Sequence, residues 1–488
     1  MLKLTSADVK RAKPDALVIP VCEDEEIHPQ DALRALISKA RRFDEFSGKE
    51  DDEFIFYGQD GVGAKRCLLM GLGKSGAVDA EKLRALAGTA VGKCVRMDLS
   101  RVAFAVPRAK GLKLSGGDLL AAMLEGAFLG NHVFERYKKE KKHAPLSQAA
   151  FHVSAADVRA MGELPARIEA VCAGTLLARD WVNTPSNDKR PEQFARELVA
   201  AAQQRLKSRV FDEKTLKKND FGAILAVGQG SSSRPRLVFL EHRPPGAEKT
   251  VVLVGKGVTF DAGGLNLKGT ESMAEMKTDM SGAAAVAATL ITAARLQLSQ
   301  NVIGVIPLVE NMPSGDALRP GDIIRTYAQK SVEVGNTDAE GRLILADALA
   351  YARKTYRPDI LIDLATLTGA CVVALGEKIA GLFSPDNALA EAILAAAEKT
   401  NERCWRLPLP EDYRKLLKSE TADINNMSSS RGGGAITAAL FLSEFAADTR
   451  WAHIDIAGPA RLKKAGPYCP AGGSGFGVRL LCELLGNL

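Results

Sequence analysis

The stretch that decides the fold is Thr250-Val251-Val252-Leu253-Val254-Gly255-Lys256-Gly257-Val258-Thr259-Phe260-Asp261, in which an apolar run leads into a glycine-framed turn that carries a lysine and an aspartate. An uninterrupted apolar run is typical of a strand covered on both faces. Residues 302–306 and 360–364 have the same character. The second part of the chain is therefore predicted to contain a sheet of buried strands.

Helical patterns follow these runs, and the first part of the chain likewise alternates short strands with amphipathic helices. The first part has strand patterns at residues 16–21, 54–57, 67–70, 102–106 and 151–153 and helical patterns at residues 32–42, 80–95 and 118–129. The second part has helical patterns at residues 282–296, 343–354, 389–400, 435–447 and 476–485. Alternation of this kind predicts parallel pairing and an α/β fold.

A long alanine-rich helical pattern at residues 165–182 separates the two parts and ends before Pro185, because proline cannot continue a helix. We place a domain boundary just ahead of this pattern. The prediction is a smaller N-terminal accessory α/β domain at residues 1–160 and a larger C-terminal α/β domain at residues 161–488. The central sheet of the larger domain is expected to be mixed, mostly parallel and flanked by helices.

The composition is that of an ordinary globular protein, since 46% of the 488 residues are hydrophobic and 25% are charged. The net charge of +6 is small for this length and does not by itself favour nucleic acid as a partner. The eight cysteines form no C-x-x-C pair, which predicts buried thiols in a reducing compartment. The most apolar stretch, residues 283–294, is shorter than the ~18 residues that span a bilayer. We therefore expect a cytoplasmic protein without a membrane span.

Two local patterns leave other functions open. Gly71-Leu72-Gly73-Lys74-Ser75-Gly76 has dinucleotide-binding spacing, but no acidic residue closes a second strand about 20 residues further on. A plain glycine turn is the alternative interpretation. The basic run at residues 136–143 is either a solvated helix end or loop, or a phosphate-binding patch.

Charged residues cluster where buried strands end and helices begin, which is where open α/β sheets place their sites. These residues are Lys256, Asp261, Lys268, Asp279, Asp338, Glu340 and Arg342. One interpretation is a set of surface turns in which Asp279 and Asp338 cap helices. The other is an active site, because clustered carboxylates repel each other unless basic residues or two divalent metal ions ~3.5–4 Å apart compensate them. The six histidines form no zinc-binding pattern, so histidine-based zinc chemistry has no support.

The segment Asn336-Thr337-Asp338-Ala339-Glu340-Gly341-Arg342-Leu343 matches the signature of the leucyl aminopeptidase family, the M17 cytosolic leucine aminopeptidases, residue for residue. The resemblance continues through residues 309–316, 363–370 and 453–460, and it covers residues 165–488. The first part of the chain resembles the accessory domain of that family in pattern only.

The resemblance implies two divalent metal ions per subunit, Mn²⁺ or Zn²⁺, in a site rich in oxygen ligands. Their implied ligands are Lys256, Asp261, Asp279, Asp338 and Glu340. Asp261 and Glu340 would contact both ions, Asp338 would complete one site, and Lys256 and Asp279 would complete the other. Lys256 can bind a metal only as the neutral amine, which adjacent dications favour.

The family's two catalytic positions fall on Lys268 and Arg342, and the resemblance places a bicarbonate ion at Arg342. It further implies substrate contacts by Met276, Asp279, Thr366 and Leu367. Lys268 is expected to polarise the scissile carbonyl. Arg342 is expected either to hold the bicarbonate or simply to pair with a neighbouring carboxylate.

These implications describe a metallo-exopeptidase, a leucyl aminopeptidase that hydrolyses the N-terminal residue of peptides through a metal-bridged hydroxide. A leucine-like residue is the expected preference, peptides with a free N-terminus are the expected substrates, and a homohexamer is the expected assembly. The alternative is a DNA-binding protein of the same family that acts in regulation or recombination, with or without peptidase activity. Its local support is the basic run at residues 136–142.

Overall fold

The computed structural model describes residues 1–59, 61–202 and 205–488. Contacts within the chain define two compact units, one formed by Met1–Ala173 with Lys464–Ala471 and the other by Gly174–Lys463 with Gly472–Leu488. The domain boundary predicted between residues 160 and 161 lies ahead of this division and stays a prediction. All eight cysteines are buried, as the sequence predicts.

The first unit is an α/β sandwich. Its strands are β1 (Leu2–Thr5), β2 (Ala16–Cys22), β3 (Glu53–Tyr57), β4 (Arg66–Gly73), β5 (Arg101–Ala105) and β6 (Gln148–His152), and its helices are α1 (Asp31–Ala40), α2 (Ala80–Arg96), α3 (Gly116–Gly130) and α4 (Ala155–Ala160). Helix α5 (Leu164–Asn183) begins in this unit and ends in the second. The sheet order is β1-β6-β5-β2-β4-β3, and the pairs are parallel except for β3 with β4.

The glycine-rich segment that begins at Gly71 belongs to this sheet, because its first residues lie within β4. In the turn after the strand, the backbone N–H of Ser75 donates to Oδ1 of Asp24 at 2.8 Å. A carboxylate of the chain itself therefore occupies the donor that a phosphate group would need. This arrangement gives the nucleotide-binding interpretation no support.

The second unit is larger and follows the same α/β principle. Its strands are β7 (Lys207–Phe211), β8 (Arg236–His242), β9 (Thr250–Gly255), β10 (Gly257–Asp261), β11 (Asn301–Asn311), β12 (Ile323–Arg325), β13 (Ser331–Glu333), β14 (Ile360–Ala365), β15 (Ala380–Phe383), β16 (Cys404–Arg406), β17 (Ile424–Asn425), β18 (Trp451–Asp455), β19 (Arg461–Leu462) and β20 (Gly472–Gly473). Its helices are α6 (Pro191–Ala202), α7 (Glu213–Lys218), α8 (Gly222–Gly228), α9 (Thr270–Met273), α10 (Ser281–Leu296), α11 (Glu340–Tyr356), α12 (Gly369–Leu375), α13 (Asn387–Thr400), α14 (Gly434–Ala446) and α15 (Val478–Gly486). In the part of the chain that the structure describes, no helix combines the length and the apolar character that crossing a membrane requires.

The main sheet of the second unit has the order β16-β15-β18-β14-β9-β11-β8-β7, with β10 paired to β11. The central strands β18, β14, β9, β11 and β10 run parallel, whereas β8 and β15 pair antiparallel with β11 and β18. Helix α10 packs against β9, β11 and β14, and α11 packs against α8 and α14. The predicted mixed, mostly parallel sheet flanked by helices is confirmed.

Helix α11 is tied to its neighbours by a buried carboxylate. Oδ2 of Asp347 accepts the N–H groups of Ala223 and Ile224 at 2.9 and 3.0 Å, and Oδ1 accepts the N–H of Tyr327 at 2.7 Å. Burial raises the pKa of Asp347 to about 7, although these three donors lower it. The carboxyl thus serves backbone groups that would otherwise be buried without an acceptor.

We predict that Asp347→Ala lowers the free energy of unfolding by about 3 kcal/mol or more, because each buried N–H left without a partner costs about 1–3 kcal/mol. The matched control is Asp212→Ala, which removes the exposed N-cap of α7. A cap of this kind is worth about 1 kcal/mol. Urea unfolding followed by circular dichroism measures both, and equal losses for the two variants would contradict the structural role of Asp347.

Candidate active site

One cavity of about 720 Å³ lies at the carboxyl ends of β9, β10 and β14 in the second unit. It brings together every residue that the sequence analysis selected, namely Lys256, Asp261, Lys268, Met276, Asp279, Asp338, Glu340, Arg342, Thr366 and Leu367. These residues are spread over more than a hundred positions of the sequence. The fold therefore creates one site from separate turns.

The parallel pairing of β9 with β14 explains why two of these turns meet. Leu364 is the register partner of Gly255, so the chain leaves both strands at the same edge of the sheet. The backbone N–H of Lys256 donates to the carbonyl of Leu364 at 3.0 Å, and its Nζ donates to the carbonyl of Thr366 at 2.9 Å. Lys256 is thereby fixed at both ends of its side chain.

Two glycines allow the helices to approach these strand ends closely. A Cβ on Gly282, in the first turn of α10, would lie 2.1 Å from the carbonyl oxygen of Leu364. A Cβ on Gly341, in the first turn of α11, would lie 2.8 Å from Nζ of Lys256. Glycine lets α10 begin this near to the end of β14 and lets α11 begin this near to the side chain of Lys256, and the acidic residues at the starts of the two helices consequently reach the cavity.

The interpretation of Asp279 and Asp338 as helix caps is wrong. The residue that precedes α10 is Met280, and the residue that precedes α11 is Ala339; neither helix has a side-chain cap. Asp279 instead accepts a hydrogen bond from the hydroxyl of Thr366 at 2.7 Å. Helix α11 also begins at residue 340, three residues before the predicted start, so Glu340 is its first residue.

Lys256 is the centre of one group of charges. Its Nζ lies 2.9 Å from Oδ1 of Asp279 and 2.8 Å from Oε1 of Glu340, and all three side chains are buried. Burial alone lowers the pKa of Lys256, but the neighbouring carboxylates outweigh it and raise the pKa above its ordinary value. In this arrangement the lysine compensates two buried acids.

Lys268 is the centre of the second group. Its Nζ lies 2.9 Å from Oδ2 of Asp261 and 2.5 Å from Oδ1 of Asp338. Burial opposes the charged form of this lysine as well, and the charges of Asp261, Glu340 and Asp338 raise its pKa in spite of that. The two lysines thus contact different carboxylates: Lys256 contacts Asp279 and Glu340, and Lys268 contacts Asp261 and Asp338.

Burial also disfavours the ionised form of the carboxylates. Burial, followed by the charge of Asp261, raises the pKa values of Glu340 and Asp338. Burial also raises the pKa of Asp279, against the effect of Lys256. Further positive charge in the cavity would stabilise all of these groups in their ionised form.

Divalent metal ions fit this site on two observations. Asp261, Asp338 and Glu340 each offer one carboxylate oxygen, and the three oxygens lie within 4.8 Å of one another. Among the described residues, Oδ2 of Asp279 and Oε2 of Glu340 are buried and find no hydrogen-bond partner. Buried carboxylate oxygens without donors are the arrangement expected of metal ligands.

Arg342 lines the same cavity but pairs with none of its carboxylates in the part of the chain that the structure describes. Its Nη1 donates to the backbone carbonyl of Asn426 at 2.8 Å, and its Nε is buried without an acceptor. Burial lowers the pKa of Arg342 to about 10, so the guanidinium remains charged at neutral pH. The interpretation that Arg342 merely forms an ion pair therefore has no support among the described residues.

The sequence analysis missed the polar residues that form hydrogen bonds with the site residues or with the loops that carry them. Asn311 donates to Oδ1 of Asp261 at 2.8 Å, and Asp455 accepts the N–H of Leu367 at 3.1 Å. Asn426 contacts the loop that carries Asp338. Asn311 and Asp455 lie in the segments that resemble the family, but asparagine and aspartate are too common for their positions alone to indicate a role.

Comparison with known proteins identifies the class to which this fold and site belong. The profile of the cytosol aminopeptidase family, catalytic domain, matches residues 176–482, and that of the N-terminal domain of the same family matches residues 18–141. The chain belongs to the cytosol aminopeptidase family. Membership implies a metal-dependent aminopeptidase, a hydrolase that acts on peptides.

Individual relatives agree with this assignment. The chain is 45% identical to a probable cytosol aminopeptidase of Chlorobium phaeobacteroides, over 99% of this chain and 98% of the relative. It is 42% identical to a probable cytosol aminopeptidase of Geobacter sp., over 96% of each chain. Among solved structures it is similar to the bottromycin maturation enzyme BotP and to its complex with Mn, each with a TM-score of 0.87, 36% identity and coverage of 97% of this chain and 99% of the other.

Proposed function

We propose that this chain is a leucyl aminopeptidase that uses two metal ions to release the N-terminal residue of peptides. The observation that carries the proposal is the group of four carboxylates around Lys256 and Lys268, three of them buried, in which acceptor oxygens of Asp279 and Glu340 have no donor among the described residues. A site of this composition suits two divalent ions, Mn²⁺ or Zn²⁺. The similarity to BotP, which was solved with Mn, supports the choice of metal.

Five side chains would hold the two ions. Asp261 and Glu340 would contact both, Asp338 would complete the first site, and Lys256 and Asp279 would complete the second. The position of Lys256 Nζ between Asp279 and Glu340 supports its assignment as a ligand. It would bind as the neutral amine, because two dications reverse the local preference for the ammonium form. When bound, such ions lower the pKa of water and polarise carbonyl groups.

The residues around Asp279 would recognise the free α-amine of the substrate. A buried carboxylate favours a positively charged group, and the backbone at Thr366 and Leu367 would add polar contacts beside it. Met276 would face the first side chain of the peptide. Since Met276 and Leu367 both line the cavity, an apolar, leucine-like side chain is the preference we propose.

Lys268 and Arg342 would act on the reacting groups rather than on metal binding. The ammonium group of Lys268 would donate to the scissile carbonyl oxygen as negative charge develops on it. The guanidinium of Arg342 would hold a bicarbonate ion, which supplies a small base for proton transfer at a site without histidine in its lining. The unpartnered Nε–H of Arg342 supports this second assignment.

Family membership supports two further proposals, a homohexameric assembly and a cytoplasmic location. DNA binding remains a second candidate function, supported by the exposed side chains of the basic run at residues 136–142 in the first unit. Phosphate contacts would make binding to duplex DNA fall steeply as the salt concentration rises.

We predict that Asp261→Asn and Glu340→Gln lose metal and activity together, because each removes charge from a residue shared by both ions. Activity on leucine amide should fall by more than ~10²-fold, and metal content should fall from two ions per chain. The matched control is Glu310→Gln, a buried acid on the neighbouring strand β11 that accepts from Ser231. Full occupancy by two ions in either site variant would refute the ligand assignment.

We predict that acetylation of the substrate amine prevents cleavage. Acetylation removes the positive charge and the free amine that Asp279 and the second ion would bind. Release of leucine from leucine amide, compared with release of acetyl-leucine from its acetylated form, measures the effect. Similar rates for the two substrates would rule out an exopeptidase site of this design.

We predict that Lys268→Ala and Arg342→Ala remain folded and keep their metal, whereas kcat falls by ~10²–10³-fold through the loss of one electrostatic stabiliser or proton relay. Bicarbonate should accelerate the unaltered protein and have much less effect on Arg342→Ala. The kinetic role is wrong if Arg342→Ala loses its metal or if bicarbonate stimulates both proteins equally. Lys330→Ala, which removes a lysine paired with Glu444, is the control for losing a cation.

A further inference from the structure

We propose that Asn426 is a positioning residue that fixes two parts of the active site at once, the loop of residues 335–339 and the guanidinium of Arg342. We refer to residues 335–339, which carry Asp338 and end just before Glu340, as the signature loop. The inference rests on the proposed function, because it takes Asp338, Glu340 and Arg342 as working groups of the site.

The pairing of two short strands places Asn426 next to the signature loop. Strand β17 ends at Asn425 and pairs in parallel with β13, in which Glu333 is the partner of Asn425. The backbone N–H of Asn426 then donates to the carbonyl of Glu333 at 3.0 Å. The signature loop starts two residues after Glu333, and the side chain of Asn426 is completely buried against it.

The side-chain amide of Asn426 contacts the signature loop at both ends. Its Oδ1 accepts the N–H groups of Gly335 and Asn336 at 2.8 and 3.2 Å. Its Nδ2 donates to the carbonyls of Asn336 and Ala339 at 2.8 and 3.3 Å. The loop has no regular secondary structure, so this amide replaces the backbone partners that a strand or a helix would supply. Asp338 lies between the two anchored ends.

The backbone of the same residue holds Arg342. The carbonyl oxygen of Asn426 accepts the hydrogen bond from Nη1 of Arg342 at 2.8 Å. Among the described residues, this carbonyl is the hydrogen-bond partner of the guanidinium. One residue therefore sets the position of the arginine relative to the loop that carries Asp338. A displacement of residue 426 would therefore change the position of Arg342 and that of the signature loop, whereas the loss of one other loop hydrogen bond would affect the loop alone.

The middle of the signature loop has separate support, which would remain in an Asn426 variant. Asn311 donates to the carbonyl of Thr337 at 3.0 Å, and the N–H of Thr337 donates to the side chain of Asn266 at 2.8 Å. The N–H of Asp338 also donates to the side chain of Asn336 at 2.8 Å. Changing Asn426 should therefore displace the ends of the loop without releasing it completely.

The first unit offers a matched control for the purely structural effect of such a change. Asn131 uses its amide in the same way, since it accepts the N–H of Leu146 at 2.7 Å and donates to the carbonyl of Leu146 at 3.0 Å. Asn131 therefore binds both the N–H and the carbonyl of a single residue, as Asn426 does with Asn336. Asn131 belongs to the unit that does not contain the cavity.

The test compares Asn426→Asp with Asn131→Asp. Aspartate keeps the shape and the acceptor but removes the donor and faces carbonyl oxygens with a negative charge. For Asn426→Asp we expect kcat on leucine amide to fall ~10–100-fold, with a smaller change in KM, and Mn²⁺ affinity, measured by titration calorimetry, to fall by a similar factor. Asn131→Asp should leave kcat and Mn²⁺ affinity within about twofold of the unaltered protein, even where it lowers Tm comparably.

A double-mutant cycle separates the two contacts of Asn426. In the Arg342→Ala background, Asn426→Asp should reduce kcat less than it does alone, because part of its effect passes through the arginine. The loss of Mn²⁺ affinity should persist, since it passes through the loop. Asn426→Ala, which removes the amide without adding a charge, provides the second variant if the aspartate does not fold.

Asn426 has no positioning role if its variants keep wild-type kcat and Mn²⁺ affinity, or if Asn131→Asp reduces both to the same extent. An unaltered protein that neither binds Mn²⁺ nor hydrolyses leucine amide would instead reject the proposed function. The two failures are therefore distinguishable in one set of measurements.

Discussion

The mutual repulsion of four carboxylates that line one cavity is the constraint on which the arrangement of the second unit depends. Asp261, Asp279, Asp338 and Glu340 would each lose hydration on burial, and like charges at this spacing add to that cost. Two lysines offset part of it by lying within hydrogen-bonding distance of the acids. Asp279 and Glu340 each keep one oxygen that has no donor among the described residues, so these lysines leave part of the acceptor capacity unused.

The fold keeps the charged residues close together because most of them lie at the ends of strands or at the starts of helices. Lys256 follows a buried strand, and Asp261 ends one. Asp279 and Glu340 lie at the starts of helices whose first-turn glycines contact the end of β14 or the side chain of Lys256. Groups held in this way cannot relax apart to relieve their repulsion. Burial therefore raises the pKa of Glu340 and of Asp279 instead, and it leaves the cavity receptive to further positive charge.

The parts of this arrangement that sequence could predict are those with a strong periodic or compositional signal. The buried strands β9, β11 and β14 follow from continuous apolar runs, and the helix α10 from its alanine-rich helical pattern. Short strands such as β15 and β17 were not, since tertiary pairing rather than local pattern creates them. The charged site residues were found through their clustering and the family resemblance. Asn426 was not, because its role depends on a backbone that comes close only after folding.

The residues that anchor the signature loop are neutral, unlike the ionisable residues of the cavity, and this difference has a physical reason. The acids, the lysines and Arg342 that face the cavity are ionisable groups, whereas the signature loop is anchored by the neutral amides of Asn426, Asn311 and Asn266. A positively charged anchor would pair with the carboxylates, a negatively charged one would add to their repulsion, and either would require its own buried partner. A neutral amide satisfies a donor and an acceptor together and leaves the charge of the cavity unchanged. The loop that carries Asp338 can therefore be held firmly without adding a charge to the cavity.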